Sequence, residues 1–277
     1  MTSSTRTIAS YRESGTPRVS VVVPAMNEAR NLEVLLPELA AALTCHEVIL
    51  VDGGSADDTV ATARRVLPGV RVVRQVRTGK GNALAAGFAA VTGDIVVTLD
   101  ADMSADPSEV GRFVAALEAG ADVATGSRFA ADGASEDITA LRAWGNRALG
   151  GVFNLLFRRR CTDLCYGFNA FWADMVPVLD LPDHRVMTPQ AGQKLWGDGF
   201  EIETVLACRF AAAGAVVVEV GSTERRRAFG RSHLNTLTDG SRVLRTLAVE
   251  WLRARPRPAR TRAAAVVPVT SSIRLAV

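Results

Sequence analysis

The sequence predicts an α/β fold with a mostly parallel, doubly wound sheet that carries its binding site along one rim. Three observations predict it. Short β-branched runs alternate with helical stretches through the first half of the chain. The runs are apolar on both faces, as strands covered by helices on both sides must be. Four of them end in polar or glycine-rich motifs, PAMNE, DGGS, DAD and GSR, and open parallel sheets bind ligands at the carboxyl ends of their strands.

The elements follow in order. Residues 19–23 (VSVVV) form a strand that ends at Pro24. Residues 27–43 carry Leu32, Leu35, Leu36, Leu39 and Leu43 at helical spacing, with a break or kink expected at Pro37. Residues 47–55 (EVILVDGGS) form a second strand, halted by Gly53 and Gly54. Residues 56–67 form a helix with acids in its first turn, where the macrodipole favours them. VRVVRQ is a third strand, GNALAAGFAAV a third helix and DIVVTLD a fourth strand. Residues 107–120 form a helix opened by Pro107 and closed by Gly120, and residues 121–128 a fifth strand. The second half is less regular. It reads as helices over 138–160, 201–214 and 237–255, with strands over 166–172 and 215–220. The resulting layout is a flexible 1–17, a domain over 18–235, an amphipathic helix over 236–255, and a Pro-, Arg- and Ala-rich tail over 256–277 expected to be disordered.

Composition narrows the class. The chain has 277 residues, 48% hydrophobic and 22% charged, with a net charge of +3, so a nucleic-acid partner is not expected. Cys45, Cys161, Cys165 and Cys208 form no C-x-x-C pair, and Cys161 and Cys165 have no neighbouring histidine, which argues against zinc and for free thiols in a reducing cytoplasm. The first residues hold no secretory h-region, and no apolar run approaches the ~20 residues of a membrane span.

The stretch VVTLDADMSADP ends a buried strand in acid. Residues i and i+2 of a strand share a side, so Asp100 and Asp102 can converge on one point. Two carboxylates held together suit a hard divalent cation, Mg²⁺ or Mn²⁺, whose open positions a diphosphate fills. Taken alone, the pair also fits a solvated acidic turn in which Asp106 caps the next helix.

The ordered set VVVPAMNEARNL, VILVDGGSADDT, GKGNALAAGF, DIVVTLDADMSADP and GSRF resembles glycosyltransferase family 2, the inverting transferases of GT-A fold. TDLCYGFNAF and RRAFGRSHL extend the resemblance to the dolichyl- or polyprenyl-phosphate mannose synthase branch, over residues 18–235. The resemblance implies that Pro24, Ala25, Asn27 and Glu28 line the nucleotide pocket with Asp52, Gly53, Lys80 and Ala101, and that Asp100 and Asp102 hold the metal on the diphosphate. It implies that Arg128 and Arg227 face phosphates, with Arg142, Ser232 and His233 toward the acceptor. GDP-mannose is the favoured donor and UDP-glucose the alternative. The acceptor is a lipid phosphate, met by peripheral contact with the inner membrane face.

A lipid phosphate brings an ionised oxygen, whereas a hydroxyl acceptor needs a base. Asp163 ranks first for that role, ahead of Glu201, Glu203 and His233. Its structural alternative is an ion pair with the arginines at 158–160. Departures from the family pattern are Ser104 in place of a glutamine and His233 in place of a lysine. No G-x-G-x-x-G follows the first strand, and RTGKGNA lacks the P-loop spacing, which sets aside dinucleotide oxidoreductases and P-loop enzymes. A nucleotidyltransferase, a sugar-nucleotide binding module, and a tailoring transferase acting on a hydroxyl of a small acceptor remain as alternatives.

Overall fold

The computed structural model describes residues 15–188, 190, 192–229 and 236–255. Its strands are β1 (Val19–Ala25), β2 (Glu47–Asp52), β3 (Arg71–Arg74), β4 (Ile95–Thr98), β5 (Val123–Ser127), β6 (Ala134–Ser135), β7 (Asn169–Trp172), β8 (Val217–Gly221) and β9 (Thr223–Glu224). Its α-helices are α1 (Ala29–Ala42), α2 (Thr59–Val66), α3 (Lys80–Ala90), α4 (Val110–Glu118), α5 (Ala140–Phe157), α6 (Ile202–Ala212) and α7 (Thr236–Ala254). The central sheet runs β3-β2-β1-β4-β7-β5-β8, and β6 and β9 pair separately.

The sheet is doubly wound. Leu32, Leu35, Leu36 and Leu39 of α1 pack on one face with Val110, Phe113 and Leu117 of α4. On the other face, Leu84 and Phe88 of α3 pack with Ile202, Val205 and Phe210 of α6. A third cluster joins Phe153 of α5, Cys208 and Ala211 of α6, and Val243 and Leu247 of α7. The C-terminal helix is thus built into the core rather than appended to it.

Register sets the rim. Ala25 of β1 pairs with Asp52 of β2, and Val22 pairs with Thr98 of β4. The ends of these three parallel strands therefore stand side by side, with PAMNE, DGGS and DAD on one edge. β7 is the exception to parallel pairing, because it runs antiparallel between β4 and β5. Its first residue, Asn169, sits opposite Thr98 at the carboxyl end of β4, so the segment leading into β7 is delivered to the same rim.

Two prolines behave differently from the expectation. β1 continues through Pro24 to Ala25, because pairing with β4 has already ended at Val22 and the missing N–H interrupts no ladder there. α1 continues through Pro37. Pro37 and Glu33, whose carbonyl loses its helical donor, both lie on the exposed side, where water can serve that carbonyl. The expected tail at 256–277 and most of the expected flexible N-terminus lie outside the described residues.

Candidate active site

The β1–β2 side of the rim is latched by backbone N–H groups that donate to short polar side chains. Asn27 takes a left-handed conformation (φ 59°), which asparagine tolerates better than most residues. Its N–H donates to Ser55 Oγ at 2.9 Å, and its Oδ1 accepts from the Ala56 N–H at 2.8 Å. Asp52 Oδ1 accepts from the Ser55 N–H at 3.0 Å, while the Glu28 N–H donates to Thr59 Oγ1 at 2.9 Å. Gly53 donates to the Ala25 carbonyl at 2.8 Å, and a Cβ at Gly53 would stand 3.0 Å from Met26 Cβ. PAMNE and DGGS are therefore one interlocked unit. Ala25 and Ala101 sit in the core, and Pro24 is half-buried.

The carboxylate pair is joined to cations of the chain. Lys80 Nζ lies 2.7 Å from Asp100 Oδ1 and 2.8 Å from Oδ2, and 2.8 Å from Glu203 Oε1. Asn169 Nδ2 donates to the other Glu203 oxygen at 3.1 Å. Asp102 Oδ1 accepts from the Ser104 N–H at 3.0 Å, and its Oδ2 lies 3.1 Å from Arg227 Nη2. Between them Met103 is buried with φ 65°, a left-handed turn that a bulky residue holds only when its surroundings impose it. Burial drives the Asp100 carboxyl above its ordinary range; Lys80 opposes this and repulsion from Asp102 and Glu203 adds to it. Burial likewise raises Glu28, against a bond from Asn31 and with help from Asp102 and Asp100. Burial disfavours the Lys80 charge, but Asp100 and Glu203 outweigh it and hold the ammonium above the ordinary lysine range.

Lys80 reaches this position through features its surroundings supply. Gly79 has φ 126°, and a Cβ there would stand 2.1 Å from the Asp198 carbonyl oxygen; one at Gly81 would stand 1.7 Å from that of Gly197. The two glycines let the start of α3 lie backbone against backbone on residues 197–199. Beneath them Arg77 is buried. It forks onto Asp198 at 2.7 and 2.9 Å and donates to the Asp183 and Val186 carbonyls. Nothing in the local pattern marks Arg77 or Asp198; the glycines flanking Lys80 were the available signal.

The three singled-out arginines fall into different states. Arg128 is buried, with Nε and Nη2 on Asp163 at 2.7 and 2.9 Å and Nη1 on Glu224 at 3.0 Å. Arg142, half-buried in the first turn of α5, makes no ion pair among the described residues and lies close enough to Cys165 to act on its thiol. Arg227 stands on Asp102. Asp163 requires a correction. Its side chain is fully buried and both its oxygens are taken by Arg128, so it lacks the open oxygen that a general base needs. Its ion-pair partner is Arg128 rather than the arginines at 158–160. Glu201 accepts from the Gly199 N–H at 3.1 Å, and Glu203 is engaged by Lys80. Ser232 and His233 lie outside the described residues.

The donor set can be tested against a divalent cation. Asp100 and Asp102 offer hard oxygen ligands, and the charge repulsion around Asp100 is what a cation relieves. Among the described residues no cluster of three acidic, histidine or cysteine side chains surrounds a point. Two carboxylates would supply only part of the shell of Mg²⁺ or Mn²⁺, and would leave the rest to ligand oxygens or water.

Comparison with known proteins identifies the family. A family model described as glycosyl transferase family 2 matches residues 20–176. A glycosyltransferase of Mycobacterium tuberculosis, itself uncharacterised, is 32% identical over 227 residues, 80% of this chain and 92% of that protein. An undecaprenyl-phosphate 4-deoxy-4-formamido-L-arabinose transferase of Sodalis glossinidius is 42% identical over 106 residues, covering 35% of this chain and 32% of its own. Among solved structures, glucosyl-3-phosphoglycerate synthase from Mycobacterium tuberculosis, in complex with Mn²⁺, uridine diphosphate and phosphoglyceric acid, superposes with a TM-score of 0.64 at 25% identity, over 85% of this chain and 78% of that one.

Proposed function

The chain belongs to glycosyl transferase family 2, and from that premise we propose that it moves a hexose from a nucleoside-diphosphate sugar to a phosphate-bearing acceptor, in the first instance a polyprenyl phosphate. The observation that carries this reading is the contact between Arg227 and Asp102 at 3.1 Å. It sets a cation suited to phosphate directly beside a carboxylate suited to a metal-bound diphosphate.

In this reading the PAMNE–DGGS unit receives the nucleoside, with Asp52, Gly53, Asn27 and Glu28 at its wall. Asp100 and Asp102 hold the cation, which when bound stabilises charge on the departing diphosphate. Arg142 and Arg227 grip the acceptor phosphate, a task for which the guanidinium fork is shaped. The acceptor oxygen is already ionised, so no side chain is asked to remove its proton. Arg128 and Asp163 serve as the wall that positions the segment before β7. The undecaprenyl-phosphate transferase named above and the synthase crystallised with phosphoglyceric acid both support an acceptor that carries phosphate. The synthase, which has also been crystallised with UDP-glucose, supports a UDP-linked hexose beside the GDP-mannose expected from sequence, and a small phosphorylated acid as the second acceptor class.

Peripheral attachment to a membrane surface is part of the proposal. Among the described residues no helix is long and apolar enough to cross a bilayer. α5 nevertheless exposes Leu141 (61%) and Trp144 (69%) near its start and Leu155 (80%) near its end, where the exposed Arg158 and Arg160 follow. An apolar stripe ending in cations suits an anionic lipid surface.

Arg227→Ala tests the acceptor grip. Removing a charge-assisted hydrogen bond costs about 1.5–3 kcal/mol, or roughly ten- to hundredfold in kcat/KM for transfer to polyprenyl phosphate. Donor affinity, read by calorimetry with Mn²⁺ present, is expected to change far less. An equal loss in donor binding would move Arg227 to the donor side and remove the support for a phosphate acceptor.

A further inference from the structure

Both carboxylates of the Asp100–Asp102 pair are already held by cations of this chain. Lys80 occupies both oxygens of Asp100, and Arg227 occupies Asp102. A divalent cation and an ammonium group compete for the same carboxylate lone pairs, so Asp100 must be freed before it can bind metal fully. Freeing it would strand a buried ammonium without a counter-charge unless a second partner waited. Glu203 is that partner. Its Oε1 stands 2.8 Å from Lys80 Nζ, within ion-pair range but without an aligned hydrogen bond, and Asn169 fixes its other oxygen. Gly167 leaves the room: a Cβ there would lie 2.7 Å from Lys80 Nζ and 3.2 Å from Glu203 Oε1.

We infer that Glu203 is a positioning residue that receives Lys80 when Asp100 turns to the metal, and that Lys80 is a built-in competitor holding the rim in order until the cation arrives. The inference rests on the metal-assisted transferase reading above. In it, Lys80 keeps one carboxylate partner in both states, and the energy needed to release Asp100 is set by Glu203. Metal affinity is thereby governed by a residue that need not touch the metal.

The test is a titration of the full chain with Mn²⁺ in the absence of nucleotide, with free Mn²⁺ read by electron paramagnetic resonance and folding checked by thermal melts. Losing the competing charge-assisted bond, Lys80→Met should bind Mn²⁺ about tenfold or more tightly than wild type. Glu203→Gln should bind it about tenfold more weakly, because Lys80 then has only Asp100. Since Glu203 acts through Lys80, the Glu203→Gln deficit should nearly vanish in the Lys80→Met background. Lys80→Gln takes the place of Lys80→Met if the latter does not fold. Unchanged or weaker Mn²⁺ binding in both Lys80 variants overturns the inference, as does a Glu203→Gln deficit that persists without Lys80. Asp102→Ala separates the two levels. If it weakens Mn²⁺ binding while Lys80→Met does not tighten it, only the competitor role fails. If it has no effect, the metal site at this pair fails and the inference with it.

Discussion

Around the ends of β1 and β2 the rim is tied by main-chain N–H groups that donate to short polar side chains. Asn27, Ser55, Asp52 and Ala56 tie two loops together over short polar contacts, and Gly53 lets one strand end lie on the next. From β5 to α7 the same work falls to buried ion pairs. Arg128 binds Asp163 and Glu224, while Arg209 binds Glu250, which also accepts from Trp196 Nε1 at 2.7 Å. Arg77 and Asp198 join the two regions beneath Lys80. On the proposed function, the difference matches what each region would have to hold still. A nucleotide-diphosphate site needs backbone close to its ligand, which glycines and short loops provide. An acceptor site needs cations at fixed places, and a cation inside a protein must be anchored by acids or it disrupts the fold. Arg142 and Arg227 are the exceptions that make the second region a candidate for binding: the first has no ion pair among the described residues, and the second leans on Asp102, a proposed metal ligand.

The largest expected effect lies in the first region. Asp102→Ala removes one of two proposed metal ligands, and loss of several kcal/mol of charge stabilisation corresponds to a transfer rate down by about a thousandfold. Treating wild type with EDTA should do the same, with recovery on adding Mn²⁺. Full activity in either case would mean the rim does not work through a metal.

The second region is expected to fail by unfolding instead. Arg209→Met leaves Glu250 buried without its partner, which typically costs about 3–5 kcal/mol and lowers Tm by roughly 10 °C. The same clamp has a pH signature. Burial raises the Glu250 carboxyl, but bonds from Arg209 and Trp196 outweigh it and hold the group below its ordinary value of 4.5. A carboxyl depressed in the fold stabilises above its unfolded value, and that contribution is lost as pH falls through the folded one. Wild-type Tm should therefore drop more steeply below pH 4.5 than that of Glu250→Gln, measured by calorimetry. Parallel curves would show that the clamp carries no such energy.

A smaller effect concerns the outer face of the second region. Leu155→Glu, at an exposed site, should change stability by less than about 0.5 kcal/mol while reducing co-sedimentation with anionic phospholipid vesicles. Vesicle binding that ignores this change, and ignores lipid charge, would detach α5 from any membrane role.

The contrast also explains what could be read in the sequence. The first region was legible because its devices are local. Alternating strand and helix periods pointed to the parallel sheet, whereas Asp100 and Asp102 lie beyond the end of β4 at Thr98, in a turn whose course strand periodicity does not describe. The glycines of DGGS announced a close approach that Gly53 makes on Met26. The second region was legible in its helices but not in its wiring. The partner of Arg128 lies 35 residues away in sequence at Asp163, and that of Arg77 lies 121 residues away at Asp198. No periodicity carries such information. The antiparallel direction of β7 was equally hidden, since a short apolar strand reads the same either way. That direction is what brings Gly167 and Asn169 under Lys80 and Glu203.

The measurement that bears most directly on the proposed function compares two acceptors that differ only in the phosphate. Purified protein with Mn²⁺ and a panel of UDP- and GDP-linked hexoses would be offered polyprenyl phosphate and the matching polyprenol, with phosphoglyceric acid as a soluble phosphate acceptor. The prediction is a lipid-linked hexose from polyprenyl phosphate, abolished by EDTA and absent from the alcohol. Equal transfer to the polyprenol, or transfer that survives EDTA, would contradict it; product from phosphoglyceric acid alone would keep the phosphate grip and discard the lipid.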